Sequence, residues 1–482
     1  MWPRRYSRQV NCPTRLRDST QVALLAGLAW LPISLAQAGY AWDDWVLAVL
    51  TVDERAEWHR ELARFAPISD YIFNVLGAPG VRVTVALALA VTALAANGVL
   101  KRLDLLTRIE VKFVAVFTAV NPLDTSKSLL STATYSLSLS FFFVAWWLIK
   151  KRILWPIALP LFFLSFETGS LAFYALLPFA DVLISSAKNL NSRGVIQTIS
   201  LSMTVICFGA FRFFLRPANG AYAGYNNPAN WGVLIALCVT ICLLGFARYV
   251  HRGNNIQLFE KYPTVLLFAL GTWSFAVGLL PYLAVGKYPP FVSMLSRHSL
   301  LLGLGTALMI VAIVRFLLRS KKQRNLVLRV GVISTVCVSW FHCFLFYHYA
   351  DFVADVQAKI EEVEIASNSL VVVSYQRDGW ARLAETLGPN FANSFYVWNS
   401  LILLSQNSRS DIFSLHESDF EYYFEGRYNA AYGSESDRFG SEEFIPSSAS
   451  MLLKIRRLGS KWSFMPDYEV TATSVTIPLP GA

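Results

Sequence analysis

Residues 39–64 read GYAWDDWVLAVLTVDERAEWHRELAR and directly follow the first hydrophobic span of the chain. The adjacent acids Asp43 and Asp44 stand between two tryptophans, whose rings typically anchor a helix end at the depth of the lipid headgroups. A carboxylate at that depth is partly desolvated, which makes it a better proton acceptor near neutral pH. Two solvated acids that cap the N-terminus of a helix in the loop would give the same sequence, so both interpretations stay open here.

The composition indicates a membrane protein. The 482 residues are 55% hydrophobic and only 15% charged, and the mean hydropathy is +0.43. A soluble domain carries about 25% charged residues, and this chain has several apolar stretches of about 20 residues, long enough to cross a bilayer as helices. Much of the net charge of +10 lies in short loops between these stretches, which is typical of cytoplasmic loops and argues against nucleic-acid binding.

The order of spans and basic loops predicts a topology. Arginines before a first span at 21–38 place the N-terminus, residues 1–20, in the cytoplasm and the loop at 39–80 outside. That loop continues as an amphipathic helix with apolar positions every three to four residues. Further spans are predicted at 81–100, 109–120, 128–149, 195–215, 231–250, 263–285, 299–318 and 326–349.

The run at 153–186 is too long for one comfortable span. Basic residues flank it on both sides, so it is predicted to be a hairpin of two short helices whose tip lies near Glu167, Thr168 and Gly169. Glu167 is an acid near the middle of this apolar run, and an ionisable residue at membrane depth is a candidate functional residue. A protonated or structurally paired glutamate is the alternative. The total is about eleven transmembrane helices.

This topology gathers the remaining candidates at the outer face. Lys127 follows the third span, Arg212 lies inside an apolar helix one turn before Arg216, and Lys287, Arg297 and His298 lie around the start of a later span. Basic side chains there would neutralise a lipid-linked phosphate, and a carboxylate would accept a proton from a hydroxyl group. Arginines that snorkel from helix ends and a structural histidine are the alternatives.

A first span, a large outer loop that opens on AWDDW, many later spans and an outer C-terminal region together resemble the GT-C superfamily of membrane glycosyltransferases. The resemblance covers the transmembrane domain at 21–349. It implies a polyprenyl-phosphate or polyprenyl-diphosphate sugar as donor, a glycan or lipid as acceptor, and Asp43 or Asp44 as the general base. Some members use a divalent metal and others do not, so the cofactor stays open.

Residues 350–482 are polar, with short apolar runs between turn residues, and are predicted to form a small mixed domain outside the membrane. The predicted fold is therefore an all-α polytopic membrane protein of GT-C type with a small mixed extracytoplasmic domain, placed in a bacterial inner membrane. A transporter or flippase of a lipid-linked saccharide is the main alternative function, and a saccharide polymerase or ligase is a close relative of the first. A non-enzymatic assembly protein is disfavoured, because an anchor needs only one span.

Overall fold

The structure is a computed structural model that describes 12–34, 51–53, 55, 68–102, 105–149, 151, 154–187, 192–215, 263–283, 298–363, 365, 369–375, 412–416, 448–458 and 467–478. Its helices are α1 (Cys12–Ser34), α2 (Ile68–Leu100), α3 (Arg108–Val120), α4 (Ala133–Ile149), α5 (Trp155–Ser165), α6 (Ser170–Tyr174), α7 (Leu176–Ala187), α8 (Ser192–Ala210), α9 (Pro263–Leu283), α10 (Leu302–Leu317) and α11 (Lys321–Glu361).

Three of the described helices are long and apolar enough to cross a membrane: Tyr71–Leu100, Pro263–Leu283 and Lys321–Glu361. Shorter apolar helices accompany them, so the chain is mostly helical and compatible with a membrane protein. The count of about eleven spans stays a prediction. The predicted boundary at 349/350 falls within α11, which continues to Glu361.

Helix α3 is the centre of the packing. It contacts α1, α2, α10 and α11, and almost every residue after its first turn is buried. A helix that is apolar on all sides is stable only when other helices surround it. Its 13 residues rise only about 20 Å, at about 1.5 Å per residue, which is less than the roughly 30 Å hydrocarbon core of a bilayer.

Ion pairs join the helices at the end where α3 begins, called the basic end below. Arg315 of α10 donates to both carboxylate oxygens of Glu110, at 2.7 and 2.6 Å. Asp18 of α1 accepts from Arg108 and, at 2.7 Å, pairs with Lys112. Burial opposes the charge of Asp18, but these two cations hold the pKa of its carboxyl below its usual range.

Helices α9 and α10 pack closely because glycine removes side chains from their interface. A Cβ atom on Gly271 would lie 2.8 Å from Met309 Cγ and 2.9 Å from Met309 N. One on Gly278 would lie 2.7 Å from the Leu301 carbonyl oxygen. Small residues at such contacts let helix backbones approach each other, as is common in membrane bundles.

The predicted break in the run at 153–186 is confirmed. Helix α5 ends at Ser165, turns occupy 166–169, and α6 begins at Ser170. The chain then returns, since Trp146 Nε1 near the end of α4 donates to Asp181 of α7 at 2.9 Å. The tip with Glu167 therefore lies away from the ends of α4 and α7.

A four-stranded sheet follows α11. Its order is β2-β1-β3-β4, with β1 (Ser369–Tyr375), β2 (Ile412–His416), β3 (Ser448–Leu458) and β4 (Asp467–Pro478). β1 pairs in parallel with β2 and β3, while β3 and β4 are antiparallel. Apolar residues of α11 and of the sheet share one core, so the sheet adjoins the C-terminal end of α11.

Candidate functional site

The candidate site lies at the end of the bundle opposite the basic end, where α3 ends in polar residues. Asn121 caps the helix with a left-handed φ of 35°, a conformation that asparagine tolerates better than most residues. Its Nδ2 donates to the Ser299 carbonyl oxygen at 2.8 Å and so ties α3 to the start of α10. Because α3 rises only about 20 Å, this cap would lie inside a roughly 30 Å hydrocarbon core whose one face is at the basic end.

A buried ion pair follows the cap. Asp124 begins a 3₁₀ helix (Thr125–Ser128) and accepts from Ser126 N at 3.1 Å and from Ser126 Oγ at 2.5 Å. Lys127 Nζ lies 2.8 Å from Asp124 Oδ2, and both side chains are only 2% exposed. Non-helical backbone and paired charges at membrane depth are tolerated only inside protein or around a cavity, and they commonly mark functional sites.

His342 of α11 belongs to the same cluster. It lies close enough to Lys127 and Asp124 to interact electrostatically with both. Its Nδ1 is buried and has no hydrogen-bond partner among the described residues. The cluster thus combines an acid, a base and an imidazole from α11 and from the loop between α3 and α4.

The structure connects Glu167 and His298, two of the predicted site residues, to this cluster. Glu167 is partly buried in the turn before α6, and three residues later Ser170 Oγ lies 3.2 Å from Tyr282 Oη of α9. The Tyr282 ring packs 5.2 Å, between centroids, from the ring of His298, which is 5% exposed. His298 directly precedes Ser299, the partner of Asn121, so side-chain contacts and short stretches of chain together link the hairpin tip to the end of α3.

Arg212 lies at the same end of the bundle as Glu167. It is half-buried in a π-helical segment (Phe211–Leu215) that continues α8. The ring of Phe208 packs 5.4 Å from that of Phe166, the residue before Glu167, and Phe211 packs 5.7 Å from Phe163. π-helical turns are rare in proteins, and those that do occur are frequently found at functional sites.

A further cation, Arg82 of α2, went unnoticed in the sequence. Its side chain is fully buried at 2% exposure, and its guanidinium carbon lies 5.1 Å from the centroid of the Phe346 ring. It stands 18 residues, or about 27 Å of helix, before the end of α2, far from the basic end. Asn121, Asp124 and His342 were also not among the predicted site residues, although the Asp124-Thr-Ser-Lys127 sequence after a helix end is a recognisable capping pattern.

Five predicted site residues lie outside the described residues: Asp43, Asp44, Arg216, Lys287 and Arg297. Arg297 directly precedes His298, and Arg216 directly follows the π-helical segment. Within the part of the chain that the structure describes, no three His, Cys, Asp or Glu side chains converge to hold a metal ion.

The described groups have the chemistry to bind and act on an anionic substrate. Cations neutralise phosphate charge, carboxylates accept protons, and tyrosine and histidine donate hydrogen bonds.

Comparisons with protein families, with curated proteins and with solved structures find no match to this chain.

Proposed function

We propose that this protein is an integral membrane glycosyltransferase. It moves a sugar from a polyprenyl-phosphate or polyprenyl-diphosphate donor to a glycan or lipid acceptor at the outer face of a bacterial inner membrane. The observation that carries the proposal is the nearness of the hairpin tip with Glu167 to the end of α3, through the contacts of Ser170 with Tyr282, of Tyr282 with His298 and of Ser299 with Asn121. These groups lie at the end of the helix bundle opposite the basic end. The positive-inside rule assigns the basic end to the cytoplasm.

The proposed roles follow the chemistry of sugar transfer. Asp43 or Asp44, the acids that resemble those of GT-C enzymes, accepts the proton of the acceptor hydroxyl as that oxygen attacks the anomeric carbon. The bond from that carbon to the phosphate oxygen breaks, and the lipid phosphate leaves. Arg212, Arg216, Lys287 and Arg297 neutralise the phosphate, with His298 as a hydrogen-bond donor. Glu167 orients the substrate from the hairpin tip.

A pair of glutamine and asparagine variants tests the role of Glu167. Membranes that carry wild type, Glu167→Gln or Asp53→Asn at equal expression are assayed for transfer of radiolabelled sugar from a polyprenyl-phosphate donor. Asp53 is an exposed acid of the predicted outer loop at 39–80 and serves as the control. We expect Glu167→Gln to lower transfer by about 10²-fold or more, as loss of a positioned polar group commonly does, and Asp53→Asn to match wild type. Equal activity of all three proteins would exclude Glu167 from the site.

The buried cluster of Asp124, Lys127 and His342 supports a second candidate function. Charged groups and a histidine at membrane depth also occur in transporters that couple substrate movement to proton movement. A transporter or flippase of a lipid-linked saccharide would move its substrate between leaflets without sugar transfer. The rate at which a labelled lipid-linked saccharide changes leaflet in proteoliposomes separates this function from the first.

A further inference from the structure

A cavity of about 540 Å³ lies at the basic end, between the N-terminal parts of α1, α3 and α11. Five cationic side chains line it: Arg17, Arg108, Lys112, Lys321 and Arg329. Among the described residues, Asp18 is the acid that pairs with cations of this cavity, namely Arg108 and Lys112. Among the described residues, Arg17, Lys321 and Arg329 form no ion pair, so the cavity keeps a strong positive charge.

The surface above the cavity is apolar and exposed. On α1 the face of Arg17 continues, at helical spacing, to Leu24 and Leu28, which are 57% and 43% exposed. On α11 the face of Lys321 and Arg329 continues to Ile333 and Trp340, which are 61% and 50% exposed. These two apolar faces belong to helices that pack against each other, and they lead away from the charged cavity; together they are called the groove below.

The groove has the length of one leaflet. Trp340 Nε1 donates to the Leu28 carbonyl oxygen at 2.9 Å, so α1 and α11 meet at that level. From Arg329 to Trp340 the helix advances 11 residues, or about 16 Å, close to half of a roughly 30 Å hydrocarbon core. A cationic cavity at headgroup depth with an apolar groove of one leaflet above it matches the two parts of a phospholipid.

We propose that this cavity binds the headgroup of an anionic phospholipid of the cytoplasmic leaflet, with its acyl chains against the groove of Leu24, Leu28, Ile333 and Trp340. Basic cavities between helices on the cytoplasmic side are suited to phosphate-bearing lipid headgroups. A soluble phosphate would use the cavity but would leave the apolar groove unoccupied. The site is far from the proposed catalytic end, and the inference does not depend on sugar transfer.

Lipid titrations by native mass spectrometry test the proposal. The full chain, purified in detergent, is titrated with cardiolipin, phosphatidylglycerol or phosphatidylcholine. The test variant is Lys321→Gln/Arg329→Gln, and the matched control is Arg319→Gln/Lys322→Gln, which removes two exposed bases of the same region that do not line the cavity. We expect the anionic lipids to bind wild type and the control alike, and the test variant to bind them roughly 10- to 30-fold more weakly.

Two results would overturn the proposal. One is equal binding of anionic lipid by the test variant and by the control variant, or equal binding of phosphatidylcholine and anionic lipids by wild type. The other is displacement of bound cardiolipin by 1 mM inorganic pyrophosphate, which would assign the cavity to a soluble phosphate compound. Retention of the lipid against pyrophosphate supports a site that holds the headgroup and the acyl chains together.

Discussion

Removal of Lys127 tests whether the buried pair with Asp124 is a structural and functional unit. At 2.8 Å the attraction between the two charges is about 6 kcal/mol for an effective dielectric constant of about 20. Burial costs each ion several kcal/mol, so the net contribution of the intact pair is small. Lys127→Met, however, leaves Asp124 charged and buried without its cation, although Ser126 N and Oγ still donate to it, and we expect a loss of about 3–5 kcal/mol in the free energy of unfolding.

The second single variant and the double variant give the coupling between the two residues. Asp124→Asn keeps an oxygen that accepts from Ser126 N, so its loss of stability reports mainly the missing charge. In Asp124→Asn/Lys127→Met no uncompensated charge remains. The double variant is therefore expected to be less destabilised than the sum of the single variants, by about 1–3 kcal/mol.

The assay is unfolding of the purified full chain in mixed micelles of increasing sodium dodecyl sulfate content, followed by tryptophan fluorescence. Asp53→Asn and Lys322→Met, at exposed positions, are the controls and are expected to change stability by less than about 0.5 kcal/mol. Single-variant losses that add within about 0.5 kcal/mol, or a Lys127→Met protein as stable as the controls, would refute the reasoning about the buried pair.

Other predictions concern helix packing, pH and topology. Gly271→Ala is expected to lower stability by about 1–3 kcal/mol, because a Cβ atom at this position meets the backbone of α10. Gly209→Ala is expected to be neutral or stabilising, because no atom lies within 4 Å of a Cβ atom there. Equal losses of stability in the same unfolding assay would contradict this. Asp18→Asn is expected to cost about 1–3 kcal/mol at neutral pH. Because the pKa of Asp18 is lowered in the folded protein, its contribution to the free energy of unfolding is complete above the ordinary aspartate pKa of about 3.9 and is lost as the pH falls through the folded value. The stabilities of wild type and Asp18→Asn therefore converge in acid. A difference in stability that is constant with pH would be contrary evidence. In a cysteine-free protein, single cysteines at Lys101 and Ala354 are expected to react with an impermeant maleimide from the cytoplasmic and the outer side respectively, and labelling of both from one side would contradict the topology.

The sequence predicted the helical elements better than the site. Helices near 109–120, 263–285 and 299–318 have the apolar length and the flanking signals that a single sequence displays, and the structure has helices at all three. The break near Glu167 was predictable because basic residues on both sides require an even number of crossings.

The composition of the site was harder to predict because it depends on contacts between distant segments. The approach of Ser170 to Tyr282, and of Asn121 to Ser299, spans 112 and 178 residues of chain, and no local pattern reports such contacts. Arg82 resembles a residue at a helix end in the sequence, but Phe346 packs against it in the structure. The roles of Asp43 and Asp44 rest on the AWDDW motif, which lies outside the described residues.

Sugar transfer by the purified protein is the measurement that tests the central proposal most directly. Proteoliposomes that contain wild type, Asp43→Asn or Asp44→Asn receive a radiolabelled polyprenyl-phosphate sugar and a membrane glycan or lipid acceptor. We predict that wild type transfers the label and that one of the two variants loses transfer while it still binds the donor. Absence of transfer by wild type, together with movement of a lipid-linked saccharide between leaflets, would contradict the proposal and assign the protein to the transporters.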